Sequence, residues 1–223
     1  MLISVSKRFV FVANTKAAST SFEHRLFPYC EIQRAGTPER KHIPLAKILG
    51  HEYRFLFDNP DYPADTFFKF GVIRDPIEWI GSWYRYRKGN KTQAPIPAGM
   101  SFQDFYEKMD WNFVGWGRKF LQSDKFRSES GHILADYLIP YEDLEVHAKI
   151  IFDAYGIEGD LPKKNSSELG PETLSVPSDL IERLRDFYKE DYDLISRIPG
   201  LNEKGLKLLD TLRCTLSSAP PGR

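Results

Sequence analysis

Apolar positions in this chain fall into short runs, each followed by an amphipathic stretch. "RFVFVA" (8–13) is an unbroken run of mostly β-branched and aromatic residues, which predicts a short buried strand. A helix is expected directly after it, over 19–27. "FFKFGVI" (67–73) predicts a second strand that ends at "RDP", where Pro76 suits the first turn of a helix running to about Lys88. "HILADYLIPY" (132–141) is a third strand candidate, followed by a helix over 142–156 that Gly156 stops. Residues 180, 181, 184, 187, 188, 192 and 195 are apolar, a spacing that predicts one amphipathic helix with Ser178 as its N-cap.

Shorter signals fill the gaps. Leu45, Ile48 and Leu49 share one face of a short helix that Gly50 ends. "NPDYPAD" (59–65) is a turn-rich connector, and 89–100 has the glycine and proline content of a loop, suited to a lid. Ser101 and Asp104 form a capping-box pattern ahead of a helix in "FQDFYEKM". Strands alternating with helices predict an α/β fold with a largely parallel sheet. There is no internal repeat, and one domain over 1–213 is expected, with 214–223 a flexible tail.

Composition narrows the function classes. The 223 residues include 31 basic and 31 acidic side chains, so no global field attracts nucleic acid or a membrane surface. An anion site must therefore be a local concentration of charge. Cys30 and Cys214 make no disulfide framework, and no Cys/His cluster has zinc-ligand spacing. No run approaches the roughly 18 apolar residues of a membrane span, and the N-terminus does not read as a signal peptide, so a cytoplasmic protein without membrane insertion is expected.

Two strand-to-helix junctions carry the candidate chemistry. In "TKAASTS" (15–21), Lys16 supplies a charge, Ser19, Thr20 and Ser21 supply donors, and Ala17 and Ala18 let a ligand approach the backbone. A helix N-terminus behind them adds free N–H groups and the positive end of the dipole, which suits a phosphate or sulfuryl group. The plainer alternative is a junction in which Ser19 only caps the helix and Lys16 is solvated. A magnesium-dependent Walker loop is disfavoured, because residues 1–35 hold no glycine and Lys16 precedes the hydroxyls. In "VIRDPIEWIGSWYRYRK" (72–88), Arg74 ends a strand and Ser82 lies eight residues on, two helical turns later and on nearly the same face. An arginine fork with a hydroxyl suits a phosphate. The alternative there is an Arg74–Asp75 pair and a solvated basic face.

Together the two junctions resemble the sulfotransferase family, whose members use 3′-phosphoadenosine-5′-phosphosulfate (PAPS). "TKAASTS" is similar to the family's first motif, with Thr15 where proline is usual, and "VIRDPIEWIGSWY" to its second. "RKHIPLAKI", "YLIPYEDL", "LPKKNSS" (161–167) and "IERLRDFYKEDYDLI" resemble further segments of the bacterial and Golgi-type carbohydrate branch.

The resemblance implies a P-loop-like three-layer fold with a central, mostly parallel sheet flanked by helices. It implies PAPS as co-substrate, no metal, and transfer to a carbohydrate or small-metabolite hydroxyl. Lys16 is then the charge at the leaving oxygen. The backbone of Ala17 and Ala18, with Ser19, Thr20 and Ser21, holds the 5′-phosphosulfate, and Arg74 and Ser82 hold the 3′-phosphate. Lys163, Lys164 and Ser167 are placed near the nucleotide. His42 matches the family's K-H segment and is the expected base, with His51 and Glu52, then Glu23, as reserves. Arg40 and Lys41 are expected to lower the His42 pKa. Trp79, Trp83, Trp111 and Trp116 read mainly as core, with one of them available to an acceptor pocket. Two other classes stay open: a small-molecule kinase-like transferase, and a non-enzymatic descendant that binds nucleotide or sulfated glycan. The acceptor itself and the oligomeric state are not legible.

Overall fold

The computed structural model describes residues 1–89, 95–97, 99–108, 119–162 and 176–218. Its strands are β1 (Leu2–Ser4), β2 (Phe9–Val12), β3 (Ile32–Gln33), β4 (Phe68–Ile73) and β5 (Tyr137–Pro140). Its α-helices are α1 (Ser19–Leu26), α2 (Pro38–Lys41), α3 (Leu45–Lys47), α4 (Arg54–Phe57), α5 (Pro76–Gly89), α6 (Phe102–Lys108), α7 (Leu144–Tyr155), α8 (Ser178–Phe187), α9 (Lys189–Ser196) and α10 (Ile198–Ser218). The strands form one sheet in the order β3-β1-β2-β4-β5. β2, β4 and β5 pair in parallel, with Phe11 opposite Phe70 and Phe70 opposite Tyr137. β1 runs antiparallel to both β2 and β3, so four of the five strands share one direction. The expected α/β fold with a mostly parallel sheet is present.

The period-two alternation of a strand sorts β2 into two cores. Phe9 and Phe11 pack with Phe22 of α1, Phe70 of β4 and Phe152 of α7. Val10 and Val12 pack with Leu45, Ile48, Phe126 and Leu194. A third cluster joins α5, α6 and α8 through Trp79, Phe105 and Leu184. Because β2 and β4 are parallel neighbours, both chains leave the sheet at the same edge, and the two junctions open side by side.

Several expectations change. β1 and β3 carry no signal that sequence reading assigned, being three and two residues long. Of the span 132–141, only Tyr137–Pro140 joins the sheet. Residues before it turn at Gly131, whose φ is +84°, and pair instead with their own approach, Arg127 bridging Ile133. The expected helix over 178–196 is two helices that break at Tyr188. Its apolar stripe serves two cores: Leu180 and Leu184 enter the α5–α6 cluster and Leu194 enters the β2 cluster, so the chain must change direction between them. Ser178 begins α8 rather than capping it, with Pro177 at the cap position and no side-chain cap bond.

α10 carries no signal assigned from the sequence; Pro199 and Gly200 sit in its first turn, where proline is tolerated. It covers the outer edge of β5. Asn202 accepts from the Leu138 N–H at 2.9 Å and donates to the Leu138 carbonyl at 2.8 Å, closing an edge that would otherwise be open. The short helix expected to end at Gly50 instead winds on through it to Glu52. Two further expectations hold. Ser101 and Asp104 form a reciprocal capping box, with Asp104 N–H donating to Ser101 Oγ at 3.0 Å. Gly156 ends α7 in a left-handed conformation. Among the described residues, no helix is long and apolar enough to cross a membrane.

Candidate active site

The first junction is the turn from β2 to α1. Lys16 and Ala18 take positive φ values of 55° and 51°, a region costly for residues with a Cβ. Left-handed residues alternating with ordinary ones turn successive N–H groups toward one side, the arrangement that favours anions. Ala17 between them is fully buried, and nothing larger than its methyl is needed there. Ala18 occupies the N-cap of α1, and no side chain caps the helix. Ser21 N–H turns back to the Ala18 carbonyl at 3.0 Å, while no side-chain cap claims the N–H groups at the start of the helix. The reading in which Ser19 merely caps this helix is not what the structure adopts.

The second junction is the turn from β4 to α5. Asp75 Oδ1 caps α5 by accepting from the N–H groups of Ile77 (2.8 Å) and Glu78 (3.1 Å). That leaves Arg74 free of the Asp75 pairing considered from sequence. Its guanidinium lies 4.0 Å from the ring centroid of Tyr141 and within 3.5 Å of both the Lys16 carbonyl and the Glu78 carboxylate. Its Nε is buried with no hydrogen-bond partner, an orphan donor in a cationic site. Burial pulls the Arg74 pKa below its usual value. Arg85, itself buried, shares the Glu78 carboxylate at 3.5 Å.

One buried side chain ties the junctions together. Gln122 accepts from Asn14 Nδ2 at 2.9 Å and from the Arg74 N–H at 3.2 Å, and donates to the Arg74 carbonyl at 2.8 Å. Its own backbone N–H, with that of Ser123, donates to the fully buried Asp191 carboxylate of α9. From α5, Trp79 Nε1 donates to the Thr15 carbonyl at 2.8 Å and fixes the turn just before Lys16.

Lys16 and His42 share an electrostatic setting, burial beside other cations, that leaves the first charged and the second neutral. The Lys16 ammonium lies 4.0 Å from the Tyr86 ring centroid and 5.7 Å from that of Trp83, and among the described residues no carboxylate pairs with it. Burial, then Arg74 and Arg85, lower its pKa to about 8, so it stays mostly protonated at neutral pH. His42 follows α2, and its Nδ1 lies 2.9 Å from the Ala13 carbonyl. That contact requires Nδ1–H as donor and leaves the Nε2 lone pair free. Burial first, then Lys41 and Lys125, lower the His42 pKa to about 4, against the Ala13 hydrogen bond. Lys41 contributes as expected; burial, which sequence did not weigh, dominates, and Arg40 is exposed and takes no part.

Lys16, Ala17, Ala18, Ser19, Thr20, Ser21, His42, Arg74 and Ser82 all line one cleft of about 810 Å³. Lys163, Lys164 and Ser167 fall outside the described residues, as do Trp111 and Trp116. The reserve bases do not line the cleft: Glu52 pairs with Arg34 at 2.7 Å, Glu23 with Lys41 at 2.5 Å, and His51 is exposed. Trp79 is core, and Trp83 is the described tryptophan that reaches the cleft wall. Asn14, Gln122, Tyr86 and Tyr141 were not anticipated. Asn14 and Tyr86 adjoin the two motifs, whereas Gln122 has no local signal.

Compared with known families, residues 1–195 match the model of the sulfotransferase family. The chain belongs to the sulfotransferase family. The matched span contains both junctions, His42 and Gln122, and ends in α9. No curated protein and no solved structure gives a significant match to the chain.

Proposed function

We propose that this sulfotransferase moves the sulfuryl group of PAPS to an acceptor hydroxyl, on a carbohydrate or small metabolite, by in-line displacement. The observation that carries this reading is convergence. A helix N-terminus without a side-chain cap, an ammonium without a carboxylate partner among the described residues, an arginine with an orphan Nε and a neutral imidazole share one cleft. Two cationic ends suit a ligand with phosphates at two positions. The entry of Phe9 and Phe11 into one core, and of Val10 and Val12 into another, supports a P-loop-like, three-layer reading of the fold.

In this mechanism Ala17 to Ser21 orient the 5′-phosphosulfate, and Arg74 and Ser82 take the 3′-phosphate. The acceptor oxygen attacks sulfur while the bond from sulfur to the bridging oxygen breaks, and its electron pair stays on the departing phosphate. Lys16 meets the charge that appears there, the kind of stabilisation that needs no reorganisation. The acceptor proton goes to Nε2 of His42, which its Ala13 hydrogen bond has oriented. An anionic donor beside His42 raises its pKa from about 4 toward the range useful for proton transfer.

Calorimetry with adenosine 3′,5′-bisphosphate and adenosine 5′-phosphate tests the donor. The bisphosphate should bind at least about tenfold more tightly, and Arg74→Ala should erase the difference. Equal affinities, or magnesium-dependent ATP binding, would point to a kinase-like transferase instead. Turnover of labelled PAPS across an acceptor panel separates an enzyme from a binding descendant.

A further inference from the structure

A ladder of aromatic rings runs along α5 beside the cleft. Trp79 is anchored in the core, stacked on Phe120 at 5.5 Å and bonded to the Thr15 carbonyl. Trp83 meets Trp79 edge-to-face at 6.2 Å, and Tyr86 meets Trp83 edge-to-face at 6.0 Å. Each ring thus fixes the next, and the last, 39% exposed, carries the Lys16 ammonium 4.0 Å from its centroid. The same helix therefore holds Lys16 twice, through the backbone just before it and through the tip of its side chain.

We infer that Tyr86 is a positioning residue for Lys16, holding the ammonium inside the cleft in place of a carboxylate. The inference rests on the role given to Lys16 above. A carboxylate in this position would neutralise the ammonium and compete with an anionic donor. A π face attracts the cation through its quadrupole but brings no net charge. It orients Lys16 in the donor-free protein and does not oppose the arriving phosphate. Arg74 and Arg85 both repel the ammonium, and the ring face offsets that repulsion without adding a negative charge. The face of the ring does this work, so the phenolic hydroxyl is dispensable.

Tyr86→Phe and Tyr86→Leu test the assignment. In the donor-free protein, the Lys16 side-chain Hε resonances should be shifted upfield by the ring current in wild type and Tyr86→Phe, and clearly less shifted in Tyr86→Leu, where only the more distant Trp83 ring remains. Turnover should fall about tenfold in Tyr86→Leu and stay within about twofold of wild type in Tyr86→Phe. Bisphosphate affinity should stay within about threefold in both variants, because the N–H groups and Arg74 are untouched. An unshifted lysine in wild type, full turnover in Tyr86→Leu, or equal loss in both variants would overturn the inference. Absence of turnover in wild type would count against the function given to Lys16, while its resonances would still decide whether Tyr86 holds it.

Discussion

Gln122 and Asn14, 108 positions apart in sequence, share a buried hydrogen bond of 2.9 Å that joins the two junctions of the cleft. The same Gln122 amide pairs with both backbone groups of Arg74, so neither junction can move without the other. Gln122→Leu keeps most of the volume and removes all three bonds. It leaves the Arg74 N–H and carbonyl short of partners, at roughly 1–3 kcal/mol for each group, while Asn14 Nδ2 keeps the Val72 carbonyl at 3.1 Å. Chemical denaturation should show a loss of about 2–6 kcal/mol. Titration with adenosine 3′,5′-bisphosphate should show at least about tenfold weaker binding. Unchanged affinity in a folded variant would mean that the junctions hold their geometry independently.

Lys16 separates activity from stability. Its ammonium is desolvated in the folded state, so Lys16→Met should cut turnover by about 10²–10³-fold yet leave folding stability at pH 7 unchanged or higher. In wild type kcat/KM should fall as pH rises through about 8, where the ammonium of the donor-free enzyme loses its proton. Lys16→Arg, charged throughout, should lose that alkaline limb. Stability moves the opposite way. With the folded pKa depressed from 10.5 to about 8, the unfolded chain holds more protons across that window, so stability rises with pH from about 8 to about 10.5. Denaturation curves at pH 7.5 and 9.5, compared between wild type and Lys16→Met, read this contribution.

His42 should behave as a base that donor binding does not need. His42→Gln is expected to lower turnover by about 10²–10⁴-fold while bisphosphate affinity stays within about twofold. The folded pKa of about 4 lies below the ordinary 6.5, so the unfolded state binds the extra proton between those values and stability falls as pH drops through them. Wild type should lose more stability than His42→Gln between pH 7 and pH 4.5 by urea titration. Full turnover in His42→Gln would remove the imidazole from the mechanism.

Gly205 sets how closely α10 lies on the sheet. A Cβ built there would collide with the Asp136 carbonyl, a backbone atom that cannot rotate away, and would lie 3.3 Å from the Tyr137 ring. Gly205→Ala should therefore destabilise by about 1–3 kcal/mol despite the better helix propensity of alanine. A thermal melt tests this: unchanged or raised Tm would show that α10 can lift from β5 at little cost.

Elements with a strong local signal were legible from residue order alone. "FVFV" and "FKFGVI" read as strands because a short unbroken run of aromatic and β-branched residues suits a strand buried on both faces, and Pro76, Gly156 and the Ser101–Asp104 box mark helix ends by backbone chemistry. The cleft residues of both junctions were legible for the same reason, since a strand feeding a helix must present its turn at the sheet edge. Tertiary structure decided what depends on distant partners. β1 and β3 exist because longer strands accept them, and α10 accommodates Gly205 in its interior where it lies against β5. The depressed pKa of His42 comes mainly from burial, and its orientation from a carbonyl 29 residues away. Gln122 carries no motif, because its role is to bridge two loops that meet only after the chain has folded.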